Sequence, residues 1–342
     1  MENKPKSVNA LMKYLRDDKL ISIQGSSDKQ KLLNIGYYHG YKGYRYYKRP
    51  SNTLNYKSFN ELLAVYNFDA HIKALFYPQV MKIETAMKGR ILEELVSETK
   101  SDDFNVIYHN LLNYYKAFST TGKSFNSKKA KDDAEYNFKK QLNKRLDLKD
   151  RINKIQTSAY SHGNKIANHY LSKDQAIPIW GIFELMTLGE FGTFVSCLNT
   201  SCRKNISRSL GFAPKDDTNG LLPQRIIYTI KDLRNAIAHN DVVFDTRFQT
   251  SEINGQISSV LENETGISGI DFLSITDYVI LIAFILRKIQ IPNLEIKRFV
   301  KDFSSEVEHL NTMIPVSLFN KIILTTNRAK LEKLLVYLQK MR

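Results

Sequence analysis

The chain has only two cysteines in 342 residues, Cys197 and Cys202. Neither stands with a His or a second Cys pair at zinc-site spacing. That excludes a disulfide framework and predicts two reduced, structural thiols. Long hydrophobic runs are also missing. The longest, residues 278–286, is followed at once by Arg287 and Lys288, so it reads as a buried helix rather than a membrane span. Residues 1–9 are polar and lack the apolar stretch of a secretory signal, which predicts a cytoplasmic protein with no membrane association. Glycines number 15 and prolines eight. No glycine-rich loop that could cradle a nucleotide phosphate is present, so an ATP-driven mechanism has no support. His39, His71, His109, His162, His169 and His309 fall at no metal-ligand spacing, and neither a metal nor another cofactor is expected.

What is abundant is positive charge. Fifty Lys and Arg face 35 Asp and Glu, a net charge of +15, too large an excess to be neutralised locally. A polyanionic partner is expected, nucleic acid or a lipid surface. Hydrophobic residues make up 42% of the chain, enough for a sizeable core.

Apolar residues recur mostly at helical spacing rather than alternating, which predicts an all-α fold. A first helix is expected over 8–23, ended by the Gly25-Ser26-Ser27-Asp28 cluster. Ser58-Phe59-Asn60-Glu61 reads as a capping box, with Glu61 reaching back to the Ser58 amide. The helix it opens should kink or split at Pro78, which lacks a backbone donor. Residues 123–154 are dense in Lys but keep Phe138, Leu142 and Leu146 in register, as in a projecting, solvated helix. Residues 180–198 form a further apolar helix, in which Gly189 and Gly192 permit a break or a close backbone approach. The polar stretch from 245 to 269 reads as a long loop with room for a hairpin, and two or three more helices complete the chain.

One segment carries chemistry. Pro223 opens a helix in a favoured first-turn position, and the pattern runs on to about Asn240. At ~100° per residue, Ile226, Ile230, Leu233 and Ile237 form one core stripe. Asn235 and His239, one turn apart, point away from it. Arg234 lies at the stripe's edge, and Ala236 and Ala238 leave room for a phosphodiester to approach. These residue types suit RNA cleavage by the ribose 2′-hydroxyl. A histidine can take or give a proton near neutral pH, and a guanidinium can bind two oxygens of a pentacoordinate phosphorus. One histidine cannot perform both proton transfers, so a second copy of the motif, most simply from another protomer, would complete the site.

The span from Arg234 to His239 resembles the Arg-polar-x-x-x-His signature of HEPN ribonucleases. Wider blocks resemble the Abi-like, abortive-infection branch of that superfamily: Leu33-Asn34-Ile35-Gly36-Tyr37-Tyr38, Tyr66-Asn67-Phe68-Asp69-Ala70-His71-Ile72, Ile83-Glu84-Thr85-Ala86-Met87-Lys88 and Leu233-Arg234-Asn235-Ala236-Ile237-Ala238-His239-Asn240. A looser match covers Trp180-Gly181-Ile182-Phe183-Glu184 and Leu188-Gly189. The resemblance implies an antiparallel helical bundle with added N- and C-terminal helices. It implies a homodimer whose two Arg and two His share one cleft, with Arg234 and His239 catalytic and Asn235 positioning them. It further implies a metal-independent endoribonuclease acting as a toxin in phage defence, restrained or guided by a structured non-coding RNA. The expected organisation is a tyrosine-rich helical extension over 1–57, a HEPN-like core over 58–250 with a Lys-rich helical insertion near 123–172, and a helical region over 251–342.

Glu84 can orient the Arg or His, or be an ordinary salt-bridging Glu. Asn240 can support the site. Lys231, Arg45, Lys48, Arg49 and Arg247 are candidate RNA contacts. The stretch from Gly36 to Arg49 holds six tyrosines among its cations. That pattern would suit base stacking, but Tyr37 and Tyr38 fall in a matched block and are expected to be buried. Two alternatives remain: a catalytically inactive RNA-binding module or antitoxin-type RNA partner, and a protein scaffold, which the charge disfavours.

Overall fold

A computed structural model describes residues 7–339 of the chain; most of the polar N-terminal stretch noted above, residues 1–6, lies outside the described residues. Among the described residues every regular element is helical, and β-structure is confined to two isolated bridges, Ser22 to Ser58 and Tyr46 to Thr53. The chain divides into two compact units, one of Met1–Met81 with Asp232–Arg342 and one of Lys82–Lys231.

The first helix, α1 (Val8–Asp17), stops earlier than expected, and the Gly25-Ser26-Ser27-Asp28 cluster opens α2 (Gly25–Ile35) instead of closing α1. The reason is local: the Asp28 carboxylate accepts from the Gln24 amide at 3.1 Å, capping the new helix. Gly36 follows with φ 70° and ψ 155°, backbone angles open essentially to glycine alone. It turns the chain into a π-helical turn, Tyr37–Lys42.

Helix α3 (Phe59–Thr99) runs 41 residues without a break at Pro78. The expected split does not occur. A mid-helix proline costs ~3 kcal/mol, whereas Phe76, Val80, Ile83, Met87, Ile91 and Leu95 are all buried on one face, each worth ~1.5–3 kcal/mol. Burial of that face outweighs the lost hydrogen bond. At the start of α3, Ser58 Oγ accepts from the Glu61 amide at 3.3 Å as expected, but the Glu61 carboxylate turns to the Lys57 amide, 2.7 Å away, rather than to that of Ser58.

The second unit continues with α4 (Phe104–Asn110), a 3-10 turn (Tyr114–Phe118) and α5 (Lys128–Ser161), a 34-residue helix. Leu148 and Ile152 bury its apolar side; Phe138 and Leu142 are half-covered and Leu146 is exposed. After α6 (Lys165–Leu171), the expected helix over 180–198 is two: α7 (Ile179–Leu185) and α8 (Leu188–Cys197). The break falls at Met186-Thr187, where Thr187 and Glu190 form a capping box. Gly192 serves close approach, since a Cβ there would meet the Tyr228 ring at 3.0 Å. Phe183 stacks edge-on against Phe191 and Phe194. Helix α9 (Thr200–Ser209) carries Cys202, and Cys197 ends α8; both thiols are free and buried, and burial pushes both above the ordinary thiol range.

Helix α10 (Leu222–Ala238) leads back to the first unit. The stretch expected to be a loop contains α11 (Gly255–Thr265), capped by Asn254 and closed by Gly266. Its apolar side, Ile257, Val260 and Leu261, is buried. Four helices, rather than two or three, complete the chain: α12 (Ile275–Lys288), α13 (Asn293–Met313), α14 (Val316–Ile322) and α15 (Thr325–Gln339). Every residue of α12 from Ile275 to Leu286 is buried. No helix of the described residues is long and apolar enough to cross a membrane. Phe76 of α3 packs on Phe299 and Phe303 of α13.

Candidate functional site

Ile226, Ile230 and Leu233 of α10 are buried as the periodicity requires, with Ile237 half-covered; Ala236 is also buried and Ala238 is exposed. Helix α10 ends in a Schellman motif. The Asp241 amide donates to the Ala236 carbonyl at 2.8 Å, the Asn240 amide donates to the Ile237 carbonyl at 3.2 Å, and Asn240 takes the left-handed conformation with φ 57°. His239 is therefore the C-cap residue, its amide still donating to the Asn235 carbonyl at 2.9 Å.

Arg234 and Asn235 are half-buried, and the Arg234 guanidinium donates to the Asn235 side-chain oxygen at 3.4 Å. The His239 side chain is exposed and engages no hydrogen-bonding, charged or ring partner among the described residues. The helix thus presents a guanidinium braced by an amide and, one turn on, an imidazole open to solvent.

The chain just beyond His239 is held by a buried carboxylate. Asp69 of α3 is 0% exposed. One of its oxygens accepts from the Val243 and Phe244 amides at 2.9 and 2.7 Å, and the other from the Tyr44 hydroxyl at 2.6 Å. Lys73, one turn on, pairs with Asp69 at 2.8 Å and donates to the Asn240 side-chain oxygen at 3.0 Å. Burial, and then the Asp69 charge, hold the Tyr44 hydroxyl far above its ordinary range, so it serves as a donor. A charged pair inside a packed helix face is stable only when every polar atom is matched, and this one fixes the path of the chain out of α10. Sequence reading passed over Asp69 and Lys73. The signal was there: Asp69 falls in phase with Leu62, Val65, Ile72 and Phe76, a carboxylate in the middle of a core stripe.

A second buried carboxylate, Asp245, accepts from the Lys48 amide at 2.6 Å and from the Arg247 guanidinium. Arg247 donates further to the Gly43 and Tyr46 carbonyls at 2.9 and 2.7 Å and lies 4.1 Å from the Tyr46 ring centroid. Burial works against the cation, and Asp245 more than offsets it, so the guanidinium is held above its usual value. As an RNA contact Arg247 is largely occupied; it ties residues 43–46 to the chain after α10. Burial lowers the Lys48 amine, whose backbone is left-handed with φ 60°. Arg49 is exposed and Arg45 half-exposed.

Tyr37 is half-buried, but Tyr38, expected to be buried with it, is 71% exposed. The π-helical turn is the reason: it rotates Tyr41 into the core and turns Tyr38 outward. A cleft of about 410 Å³ opens here. Tyr38, His39, Lys42, Arg45 and Tyr46 line it together with Asn240, Asp241, Val242, Arg247 and Phe248.

The other candidates lie in the second unit. Glu84 pairs with Lys88 at 2.9 Å on α3, the ordinary salt-bridge arrangement, and the Lys231 amine lies 5.7 Å from the Tyr228 ring centroid. His71 pairs with Glu306 at 2.8 Å. No group of three or more His, Cys, Asp or Glu among the described residues is gathered so as to hold a metal ion.

A family model described as Abi-like protein matches residues 30–245. No curated protein and no solved structure matches the chain significantly.

Proposed function

The chain belongs to the Abi-like family, a membership that suggests a role in abortive infection as a phage defence; from it we propose that the end of α10 is the active site of a metal-independent, HEPN-type RNA endonuclease. The observation that carries the reading is the arrangement of Arg234, Asn235 and His239: a half-buried guanidinium braced by Asn235 and, one turn beyond Asn235, an exposed imidazole, on a helix end pinned by Asp69 and Lys73.

A base takes the proton from the ribose 2′-hydroxyl, whose oxygen attacks the adjacent phosphorus. The bond from phosphorus to the 5′-oxygen breaks, and an acid protonates the leaving oxygen. Arg234 faces the charge that builds on the non-bridging oxygens, and Asn235 holds its fork in place. His239 supplies one of the two proton transfers. The other comes from His239 of a second copy, so the active form is a homodimer. The net charge of +15 supports an RNA substrate, and a structured RNA partner that restrains the nuclease fits the same charge.

The competing reading, an RNA binder without catalysis, gives no account of an imidazole left open one turn from the amide that braces an arginine. Purified wild-type, Arg234→Ala and His239→Ala proteins incubated with total bacterial RNA in excess EDTA decide between them. Cleavage by the wild type that falls at least a hundredfold in each variant is expected, in line with the loss of a general acid-base group or an oxyanion contact. Equal cleavage by His239→Ala and wild type would refute the assignment.

A further inference from the structure

The cleft beside Asn240 has a composition that the cleavage chemistry does not use. Tyr38 stands at its rim with most of its ring in solvent. The carbonyl of Tyr38 is nevertheless tied down, accepting from the Gly43 amide across the π-helical turn. The ring is thus displayed by a fixed backbone. Of the two tyrosines in the cleft, Tyr46 is already covered by the Arg247 guanidinium, which leaves Tyr38 as the open aromatic face. Lys42 and Arg45 also line the cleft, and the rings of His39 and Tyr38 are near-perpendicular, their centroids 5.3 Å apart. Asn240, whose side-chain oxygen already accepts from Lys73, adds its amide NH2, and Asp241 a carboxylate, groups suited to the acceptors and donors of a base edge or a ribose.

An aromatic face with flanking cations and a few polar groups is what binds one nucleotide of an unpaired strand. The base stacks, and the cations take the phosphates on either side. A duplex cannot use such a site, because its bases are already stacked. Asn240 and Asp241 directly follow His239 in the chain, so the cleft adjoins the end of α10.

We propose that this cleft is a nucleotide subsite for single-stranded RNA, with Tyr38 stacking on the base and Lys42 and Arg45 holding its phosphates, and that it selects which unpaired nucleotide is held beside the cleaved bond. The proposal rests on the RNA-nuclease reading for its substrate class, but binding tests it without cleavage. The test is fluorescence anisotropy on His239→Ala protein, using fluorescein-labelled 12-nucleotide oligoadenylate and oligouridylate and a 12-base-pair RNA duplex. Adding Tyr38→Ala should weaken single-strand binding about five- to a hundredfold, the range for one lost base stack. It should leave duplex binding and the salt slope unchanged. Tyr38→Phe should restore single-strand binding, because stacking needs the ring and not the hydroxyl. Unchanged single-strand affinity in Tyr38→Ala, equal losses on duplex and single strand, or displacement of the oligonucleotides by micromolar 5′-AMP or 5′-UMP would each overturn the assignment; the last would mark a site for free nucleotides. Tyr38-dependent binding by a protein that cuts no RNA would uphold the subsite and bring down the nuclease reading alone.

Discussion

Two stretches of this chain share a density of cations and differ in shape. Residues 36–49 and helix α5 are both rich in Lys and Arg. On α5 the cations radiate around a long helix and are interleaved with Asp132, Asp133, Glu135, Asp147 and Asp150, several in ion pairs such as Lys154 with Asp150 at 2.7 Å. Residues 36–49 contain no acid. Gly36, the π-helical turn and the bonds from Asp69 and Asp245 wrap them around a cleft. Cationic density alone does not make a binding site; curvature that aims several cations and an open ring at one point does.

The most damaging way to break this difference is to remove the carboxylate that shapes the concave region. Asp69→Ala leaves Lys73 buried without a counter-charge and strips acceptors from Val243, Phe244 and Tyr44. It should cost about 3–5 kcal/mol in urea unfolding and abolish RNA cleavage even at temperatures where the variant stays folded. A loss under 1 kcal/mol would mean that the network does not hold the cleft. A gentler comparison changes charge alone. Lys42→Glu with Arg45→Glu should lower single-stranded RNA affinity at least tenfold and reduce the salt slope by roughly 1.4, given about 0.7 per phosphate contact on a single strand. The matching pair on α5, Lys139→Glu with Lys140→Glu, should change affinity by no more than about twofold. Equal effects from the two pairs would return the charge to a general, shapeless role.

Much of this was readable in the residues. The stripe on α10 and the exposure of His239 follow from a 3.6-residue period, and the all-helical class follows from the same pattern. What could not be read depends on partners far away in sequence. The exposure of Tyr38 rests on a π-helical turn, and the path around it on Asp69 and Asp245, 25 and 197 residues from the groups they fix, Tyr44 and Lys48. That α3 does not split at Pro78 could not be read either, because local propensity cannot weigh the buried face on either side of it. Helix α11 was hidden by its polar surface, although Asn254 and Gly266 marked both of its ends.

The central claim is that the ribose 2′-hydroxyl is the nucleophile at the end of α10. It is tested most directly by the ends left on RNA incubated with the protein in excess EDTA. A 2′,3′-cyclic phosphate on one fragment and a 5′-hydroxyl on the other, both missing with His239→Ala, is the predicted result. A 5′-phosphate with a free 3′-hydroxyl, or cleavage of the all-deoxy version of the same strand, would contradict it.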